Sequence, residues 1–160
     1  MGPITLSLTV LQATTLDHWE NTRELFKEYA SSLGVDLCFQ DFERELKELP
    51  GDYSEPEGCI LLAFRESALV GCVALRPLSS EICEMKRMYV RPAFRGLGIG
   101  RILAEHIVTE ASKRGYKKMR LDSLPTMREA QALYRSLGFR EIDAYRPNPI
   151  VGAVFMELEL

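Results

Sequence analysis

The 160-residue sequence predicts one α/β domain, spanning residues 1–160, with a mixed β-sheet of about seven strands flanked by about four helices. Short apolar runs with the spacing of strands alternate along the chain with longer segments whose apolar residues recur at helical spacing. Gly or Pro closes most of these segments, and no repeat, linker or low-complexity tract separates them. The length is that of a single domain with a full hydrophobic core.

The first third of the chain predicts a strand and two helices. Ile4–Ala13 alternates loosely between apolar and small polar residues, as a strand does. A helix then begins with Asp17 as N-cap and Glu20 completing a capping box, and Gly34 ends it. A second helix runs from about residue 39 to the Pro50-Gly51 pair, and a loop covers 51–58.

The remainder predicts six strands and two helices. The expected segments are strands at 59–64, 69–75 and 82–90, a helix from the following glycines to 114, a strand at 119–124, a helix at 127–137, and strands at 139–142 and 154–160. The first two of these strands read as a hairpin, and the overall order is β, α, α, β, β, β, α, β, α, β, β.

Composition excludes several classes of function. Hydrophobic residues make up 46% of the chain, charged residues 27%, and the net charge is −3, which does not favour nucleic-acid binding. No apolar run approaches the roughly 18 residues of a membrane span, so we expect a cytoplasmic protein. The four cysteines, Cys38, Cys59, Cys72 and Cys83, have no C-x-x-C spacing. They therefore predict buried thiols in a reducing compartment and no metal site.

Three glycines crowd the start of the third predicted helix, in RGLGIG at residues 95–100. A glycine-rich turn between a strand and a helix presents bare N–H groups and the positive end of the helix dipole to an anion. A Mg-nucleotide loop would need Lys and Ser or Thr after the last glycine, and neither is there. The spacing also differs from the G-x-G-x-x-G of dinucleotide sites.

Two motifs together give the loop a more specific meaning. The stretch Arg95-Gly96-Leu97-Gly98-Ile99-Gly100 matches [QR]-x-x-G-x-[GA], and A-x-x-L-Y-x-x-x-G-F follows at residues 130–139. In motifs and in element order over nearly the whole chain, the sequence resembles the GNAT acyltransferase superfamily. The resemblance implies transfer of an acetyl group from acetyl-CoA, the cosubstrate, to a primary amine of a small molecule or peptide.

The resemblance also implies which residues hold the cosubstrate. Loop N–H groups would bind the pyrophosphate, and the end of the fourth strand would pair with the pantetheine arm. The residues expected in these roles are Met88, Tyr89, Val90, Arg95, Gly96, Leu97, Gly98, Ile99, Gly100 and Arg101. Many relatives carry Asn where this chain has Met127, so the acyl-chain preference is open, with Ser123 or Thr126 as substitutes for that contact.

Two residues are expected to move protons. Glu84 lies six residues before Val90, where one branch of the family places its base, and an acid in an apolar strand is costly unless it has a function or a partner. Strand alternation would put Glu84, Lys86, Met88 and Val90 on one face. An ordinary ion pair of Glu84 with Lys86 or Arg87 is the alternative, and the carboxylates of residues 81 and 122 are weaker candidates for the base.

Tyr134 matches the tyrosine that commonly protonates the departing thiolate in this family. Core packing is the competing interpretation, because Leu133 and Leu137 flank it. Direct attack by the amine is expected, and a two-step route through Cys83 is a lesser option. A non-catalytic acyl-CoA sensor on the same fold is the alternative function.

The acceptor is left undetermined by conflicting signals. The acidic segment 45–58 would attract a cationic amine, although a solvated helix face is the favoured explanation of its charge. Arg146 in segment 144–152 would instead bind a carboxylate. Tyr145 and Asn148 are further candidate contacts. Pairing of two copies through residues 154–160 would make a homodimer.

Overall fold

The computed structural model describes residues 7–34 and 41–160. The described strands are β1 (Leu8–Gln12), β2 (Cys59–Arg65), β3 (Ala68–Pro77), β4 (Ile82–Val90), β5 (Lys118–Ser123), β6 (Arg140–Ile142) and β7 (Val154–Glu159). The helices are α1 (Leu16–Ser32), α2 (Phe42–Glu48), α3 (Ile99–Lys113) and α4 (Arg128–Ser136). The predicted order of strands and helices is confirmed; the start of the first strand, the start of the second helix and Cys38 lie outside the described residues.

The seven strands form one mixed sheet in the order β1-β2-β3-β4-β5-β7-β6, as the predicted fold class requires. All neighbours are antiparallel except β4 and β5, which run parallel and are connected through α3. Strand β7 pairs with a neighbour on each side, so its backbone is not an edge for a second copy to extend. Dimerisation through the last strands stays a prediction.

Helices cover the two faces of the sheet and bury separate cores. On one face, α3 packs Leu103 and Ile107 against apolar residues of β2 to β5, and Tyr134 of α4 joins this cluster. On the other face, Leu25 and Phe26 of α1 pack against the alternate residues of β2 and β3. The described part of the chain has no helix long and apolar enough to cross a membrane.

Strand β4 carries a bulge. Two of its residues, Arg87 and Met88, stand opposite the single β3 residue Val73, and Arg87 adopts a left-handed φ of 60°. A bulge inserts one residue and therefore reverses the alternation of side chains beyond it.

The bulge overturns the prediction that four alternate residues of β4 share a face. Glu84 and Lys86 lie opposite Arg76 and Ala74 of β3, on the face covered by α1 and α2. Met88 and Val90 pack instead with the α3 core. Simple period-two counting failed because it assumes an unbroken strand.

The start of α1 also differs from the prediction. Thr15, not Asp17, is the N-cap: its hydroxyl accepts from the His18 N–H, while His18 Nδ1 accepts from the Thr15 N–H at 3.2 Å. Asp17 lies in the first turn, where a carboxylate still favours the positive end of the helix dipole. The reciprocal cap was missed because His at the third position replaces the usual Glu or Gln.

The acidic segment is less of a free anionic surface than its composition indicates. Glu45 accepts two hydrogen bonds from the Arg87 guanidinium, at 2.9 and 3.0 Å. Other acids in the segment form ion pairs with arginines elsewhere in the fold, including Asp52 with Arg76 and Glu55 with Arg114. These pairs attach the segment to the sheet and to α3. They neutralise part of its charge, which weakens the prediction that the segment attracts a cationic acceptor.

Candidate active site

A cavity of about 740 Å³ opens in the sheet where β4 and β5 separate. The two parallel strands pair only from Ile82 to Glu84 against Lys118 to Arg120. Beyond these pairs, residues 85–90 and 121–124 line opposite walls of the cavity. Their separation leaves β4 backbone groups without a partner strand, so an extended ligand can take the place of one.

The glycine loop forms one end of this cavity. Gly98 is the N-cap of α3 with φ 81°, and Gly96 has φ 82°, a region of backbone conformation that L side chains rarely adopt. A side chain at either position would meet nothing within 4 Å, so the conformation, and not crowding, requires glycine. The first N–H groups of α3 have no partner within the helix and are available to an anion.

Eight of the ten residues expected to bind the cosubstrate line the cavity. They are Met88, Tyr89, Val90, Arg95, Gly96, Gly98, Ile99 and Gly100. Arg95 also donates from Nε to the carbonyl of Val90 at 2.9 Å, which ties the loop to the end of β4.

Leu97 and Arg101 do not line the cavity. Leu97 is half exposed, and Arg101 donates to the hydroxyl of Ser136 on α4 and lies near Glu105. Their side chains therefore contribute to the surface and to helix contacts, while their backbone N–H groups stay candidates for the loop's role. The motif pattern alone does not tell whether a residue contributes its backbone N–H or its side chain to the site.

Tyr134 of α4 lies in the cavity wall and is 6% exposed. Its ring packs against Phe139 at 5.7 Å between centroids, so it also contributes to the α3 core. Burial raises the pKa of its hydroxyl, which keeps the proton at neutral pH. The two interpretations weighed for this tyrosine, core packing and cavity contact, are both compatible with its place.

Glu84 is fully buried and does not line the cavity. Arg76 donates to one of its oxygens at 2.8 Å, and Arg146 lies 3.1 Å from the other. Tyr145 donates its hydroxyl to the same carboxylate. Glu84 was expected to pair with Lys86 or Arg87, and its carboxylate instead contacts arginines from β3 and from the β6–β7 segment. Sequence spacing along β4 does not reveal these partners.

Asp122 is a carboxylate that lines the cavity, at the point where β5 leaves β4. It accepts from Arg146 at 3.0 Å and from the side-chain amide of Asn148 at 3.3 Å. Arg146 therefore bridges Asp122 and Glu84, and the segment between β6 and β7 is held against the sheet by these contacts. Neither Tyr145 nor Arg146 lines the cavity, while Asn148 does.

Cys83 gives no support to a covalent route. It is fully buried on the α3 face, its thiol donates to the carbonyl of Lys118 at 3.5 Å, and it is not part of the cavity wall. Burial raises the pKa of the thiol to about 12, so the nucleophilic thiolate is scarce at neutral pH. Cys59 and Cys72 are also buried free thiols, as predicted.

Sequence reasoning missed several polar residues of the cavity, namely Tyr29 and Ser32 of α1, Lys86 of β4, and Arg128 and Glu129 of α4. A lysine inside an apolar strand is a signal for a site residue, but the spacing along β4 indicates only a partner for Glu84. The α1 residues gave no signal, because packing of that helix end against the sheet is a long-range property. In the ranges 7–34 and 41–160, no cluster of His, Cys, Asp or Glu is arranged to hold a metal ion.

Comparison with known proteins agrees with this arrangement. The profile of the acetyltransferase (GNAT) family matches residues 19–139, three quarters of the chain. The chain belongs to the GNAT acetyltransferase family. The match spans α1 to the end of the second motif, so it includes the glycine loop, Tyr134 and both strands that line the cavity.

Relatives of this GNAT protein are found in distant organisms. It is 38% identical over 162 residues to an uncharacterized N-acetyltransferase of Schizosaccharomyces pombe, covering 100% of this chain and 98% of the relative. An acetyltransferase from Streptococcus agalactiae has the same fold, with a TM-score of 0.78, 18% identity, and coverage of 96% and 98%. The PaiA N-acetyltransferase of Thermoplasma acidophilum, solved in complex with coenzyme A, superimposes with a TM-score of 0.74 at 19% identity, covering 97% and 100%.

Proposed function

We propose that this GNAT protein transfers an acetyl group from acetyl-CoA to the primary amine of a small molecule or peptide. The observation that carries the proposal is one cavity that joins the N–H groups at the start of α3 to the hydroxyl-bearing Tyr134. Phosphate oxygens suit the first end, and a departing thiolate needs a proton donor at the other. The complex of the Thermoplasma neighbour with coenzyme A supports the same ligand.

The residues present fit that cosubstrate along its length. The Gly96 and Gly98 turns leave open space beside the loop, so a pyrophosphate can approach the backbone closely. The separated walls of β4 and β5 offer main-chain groups to the amides of the pantetheine arm. Met88, Asp122 and Tyr134 line the part of the cavity that would hold the thioester.

The chemistry is direct attack of the amine on the thioester carbonyl carbon. The acceptor must first lose a proton, because an alkylammonium has no lone pair. The carbon–sulfur bond then breaks, Tyr134 gives its proton to the thiolate, and the resulting tyrosinate takes the second proton of the acylated nitrogen. The buried, high-pKa hydroxyl of Tyr134 suits this role, since it holds its proton until the leaving group requires one.

Glu84 is our proposed base, acting without direct contact with the acceptor. Its carboxylate lies behind the cavity wall and contacts Arg76 and Arg146, so as a base it would act through an intervening water molecule. Asp122 is the second candidate, because it lines the cavity itself.

The buried thiols fit a reducing, cytoplasmic setting.

An acceptor screen tests the proposal. Release of the coenzyme A thiol is measured with a panel of primary amines, amino acids and peptides for the wild type and for Tyr134→Phe. We expect turnover on some member of the panel and a loss of kcat of about 100-fold in the variant, with unchanged acetyl-CoA binding. Tight acetyl-CoA binding without turnover on any amine would instead support the sensor alternative.

A second comparison separates the two carboxylates. Glu84→Gln and Asp122→Asn keep the shape of each side chain and remove its charge. If Glu84 is the base, Glu84→Gln lowers kcat by about 100-fold and Asp122→Asn has the smaller effect. The reverse order, measured on protein whose circular dichroism matches the wild type, would transfer the role to Asp122.

A further inference from the structure

We infer that Arg146 is a positioning residue for acetyl transfer: its guanidinium holds two neighbouring carboxylates, Glu84 and Asp122, charged and in place beside the cavity. The inference rests on the proposed function, in which one of these two carboxylates is the base, and it is the same whichever of them takes the proton. It replaces the expectation that Arg146 binds a carboxylate of the acceptor, because the carboxylates that Arg146 contacts belong to the protein.

One nitrogen of Arg146 carries the inference. Its Nη2 lies 3.1 Å from Oε2 of Glu84 and 3.0 Å from Oδ1 of Asp122. Because a single atom contacts both oxygens, the two carboxylates are close neighbours. Glu84 is fully buried and the Asp122 side chain is 10% exposed, so little water screens one charge from the other. Two like charges in this arrangement need a cation between them if both are to stay ionised.

The contact lies where β4 and β5 begin to separate. Glu84 forms the last pair of the two strands, opposite Arg120, and Asp122 follows two residues later on the same face of β5. Arg146 reaches this point from the segment between β6 and β7, so it joins the two strands beyond their last pair. The same segment brings Asn148 to the cavity, where its side-chain amide donates to Asp122 at 3.3 Å.

The Arg146 side chain is itself held by its surroundings. The preceding residue, Tyr145, donates its hydroxyl to the same carboxylate of Glu84. The Tyr145 ring packs edge-to-face on Phe155 of β7, with centroids 5.4 Å apart, and the Arg146 guanidinium lies 5.8 Å from the centre of that ring. These contacts leave Arg146 little freedom to move away from the two carboxylates, as a positioning role requires.

Charged and titratable groups also surround the two carboxylates from other elements. Arg76 of β3 donates to the second oxygen of Glu84 at 2.8 Å. The remaining groups are Tyr29 of α1, Glu45 of α2, Asp52 before β2, Cys83, Lys86 and Arg87 of β4, Arg120 of β5, Tyr145 before β7, and Glu157 of β7. A substitution of Arg146 changes none of these groups, so a comparison of variants at this position reports the effect of its charge.

Removal of the Arg146 charge has a consequence with a definite sign. A cation in contact with a carboxylate favours its ionised form by about 1–3 pH units, and a nearby carboxylate disfavours it. Without Arg146, the pair of Glu84 and Asp122 should therefore retain a proton to a higher pH. A base accepts a proton only in its ionised form, so the reaction should need a higher pH as well.

The pH profile of kcat, measured with the best amine of the acceptor screen, tests this consequence. Arg146→Met removes the charge at similar volume, whereas Arg146→Lys keeps it. We expect the acid-side inflection of kcat to rise by about 1–3 pH units in the methionine variant and to stay within about half a unit of the wild type in the lysine variant. Arg140→Met, which removes an exposed arginine of β6, should leave the profile unchanged.

A merely structural role gives a different result. If Arg146 only maintains the fold, kcat falls by the same factor at every pH and the inflection does not move. That outcome overturns the inference, and so does an equal shift of the inflection in the methionine and lysine variants.

A titration independent of turnover covers variants that fold poorly. The side-chain carboxyl resonance of Asp122 is followed by NMR in aspartate-labelled protein and identified by its absence in Asp122→Asn. Its titration midpoint should rise in Arg146→Met, because a cation is lost, and fall in Glu84→Gln, because a like charge is lost. An unchanged midpoint in whichever of these variants folds overturns the inference.

The two measurements also separate this inference from the proposed function. Absence of turnover on every amine in the wild type overturns the proposed function and the catalytic part of the inference together. The titration of Asp122 then still decides whether Arg146 keeps the pair of carboxylates charged. Turnover in the wild type with an unchanged acid-side inflection in Arg146→Met leaves acetyl transfer intact and overturns the inference alone.

Discussion

Single residues at the cavity act through backbone conformation as much as through their side chains. Gly98 is needed where α3 begins because its φ of 81° is costly for any other residue. Gly100, by contrast, lies inside the helix with ordinary dihedrals, and a Cβ there would make only normal contacts with Leu133. The three glycines of one motif therefore do different things.

Gly98→Val separates the ligand role of the loop from its backbone strain. The substitution strains φ by roughly 1–2 kcal/mol and places a branched side chain where the pyrophosphate would approach. Gly115→Val is the matched control, because Gly115 has φ 86°, open space around it, and lies at the far end of α3. Calorimetric titration should show loss of acetyl-CoA binding in Gly98→Val only, with a similar drop in Tm in both. Unchanged affinity in Gly98→Val would falsify the loop's role.

Elements are held together here by polar contacts as well as by apolar packing. Helix α2 has no buried residue of its own, yet Glu45 on it receives two hydrogen bonds from the Arg87 side chain at the β4 bulge. The Arg87 guanidinium also lies over the rings of Tyr29 and Phe42. The bulge thus aims one side chain at both α1 and α2 and attaches these two helices to the sheet.

Arg87→Met tests this attachment of α2. Removal of one partner of a buried pair leaves the other charge uncompensated, so we expect the free energy of unfolding to fall by about 3 kcal/mol. Arg44→Met breaks an exposed pair with Glu48 on the same helix and should change stability little. Urea denaturation of both variants measures the difference. Equal, small losses would show that α2 is held by apolar contacts alone.

Across the whole molecule, charged residues form a row over five strands. Arg76, Glu84 and Arg120 lie opposite one another on β3, β4 and β5, and Glu157 of β7 continues the row. Arg140 of β6 completes it. The signs alternate along the row, so each carboxylate has a cation on both sides. This alternation compensates the two buried carboxylates of the row, Glu84 and Glu157.

The row of charges makes the free energy of unfolding decrease at acid pH. Burial alone would raise the pKa of Glu157. Hydrogen bonding from Arg120 and the charges of Lys118 and Arg140 outweigh burial and lower this pKa. A carboxyl with a lowered folded-state pKa stabilises the fold above its unfolded pKa of about 4.3, and the contribution is lost as the pH falls through the folded value. Between pH 5 and pH 3, the unfolding free energy of Glu157→Gln should therefore fall less steeply than that of the wild type. Glu105→Gln, on exposed α3 surface, should follow the wild-type curve.

Local sequence determined most of the elements of this protein and the family motifs that predict its cosubstrate. Apolar periodicity and glycine or proline stops gave the strand and helix order, and the RGLGIG and LYRSLGF stretches are short enough to be recognised without a fold. These signals are local because a helix cap, a turn or a phosphate loop is built from neighbouring residues. The glycine loop and Tyr134 were predicted for this reason, and the structure brings them to one cavity.

Only the tertiary structure decided the partners of the charged groups and the faces on which they lie. The bulge at Arg87 moved Glu84 and Lys86 away from the face of Met88 and Val90. Glu84 received Arg76 and Arg146, 8 and 62 residues away along the chain. Such pairing depends on strand register and on a docked loop, both of which are long-range properties. The sequence therefore identifies the cosubstrate, and the fold determines which charged groups pair and which line the cavity.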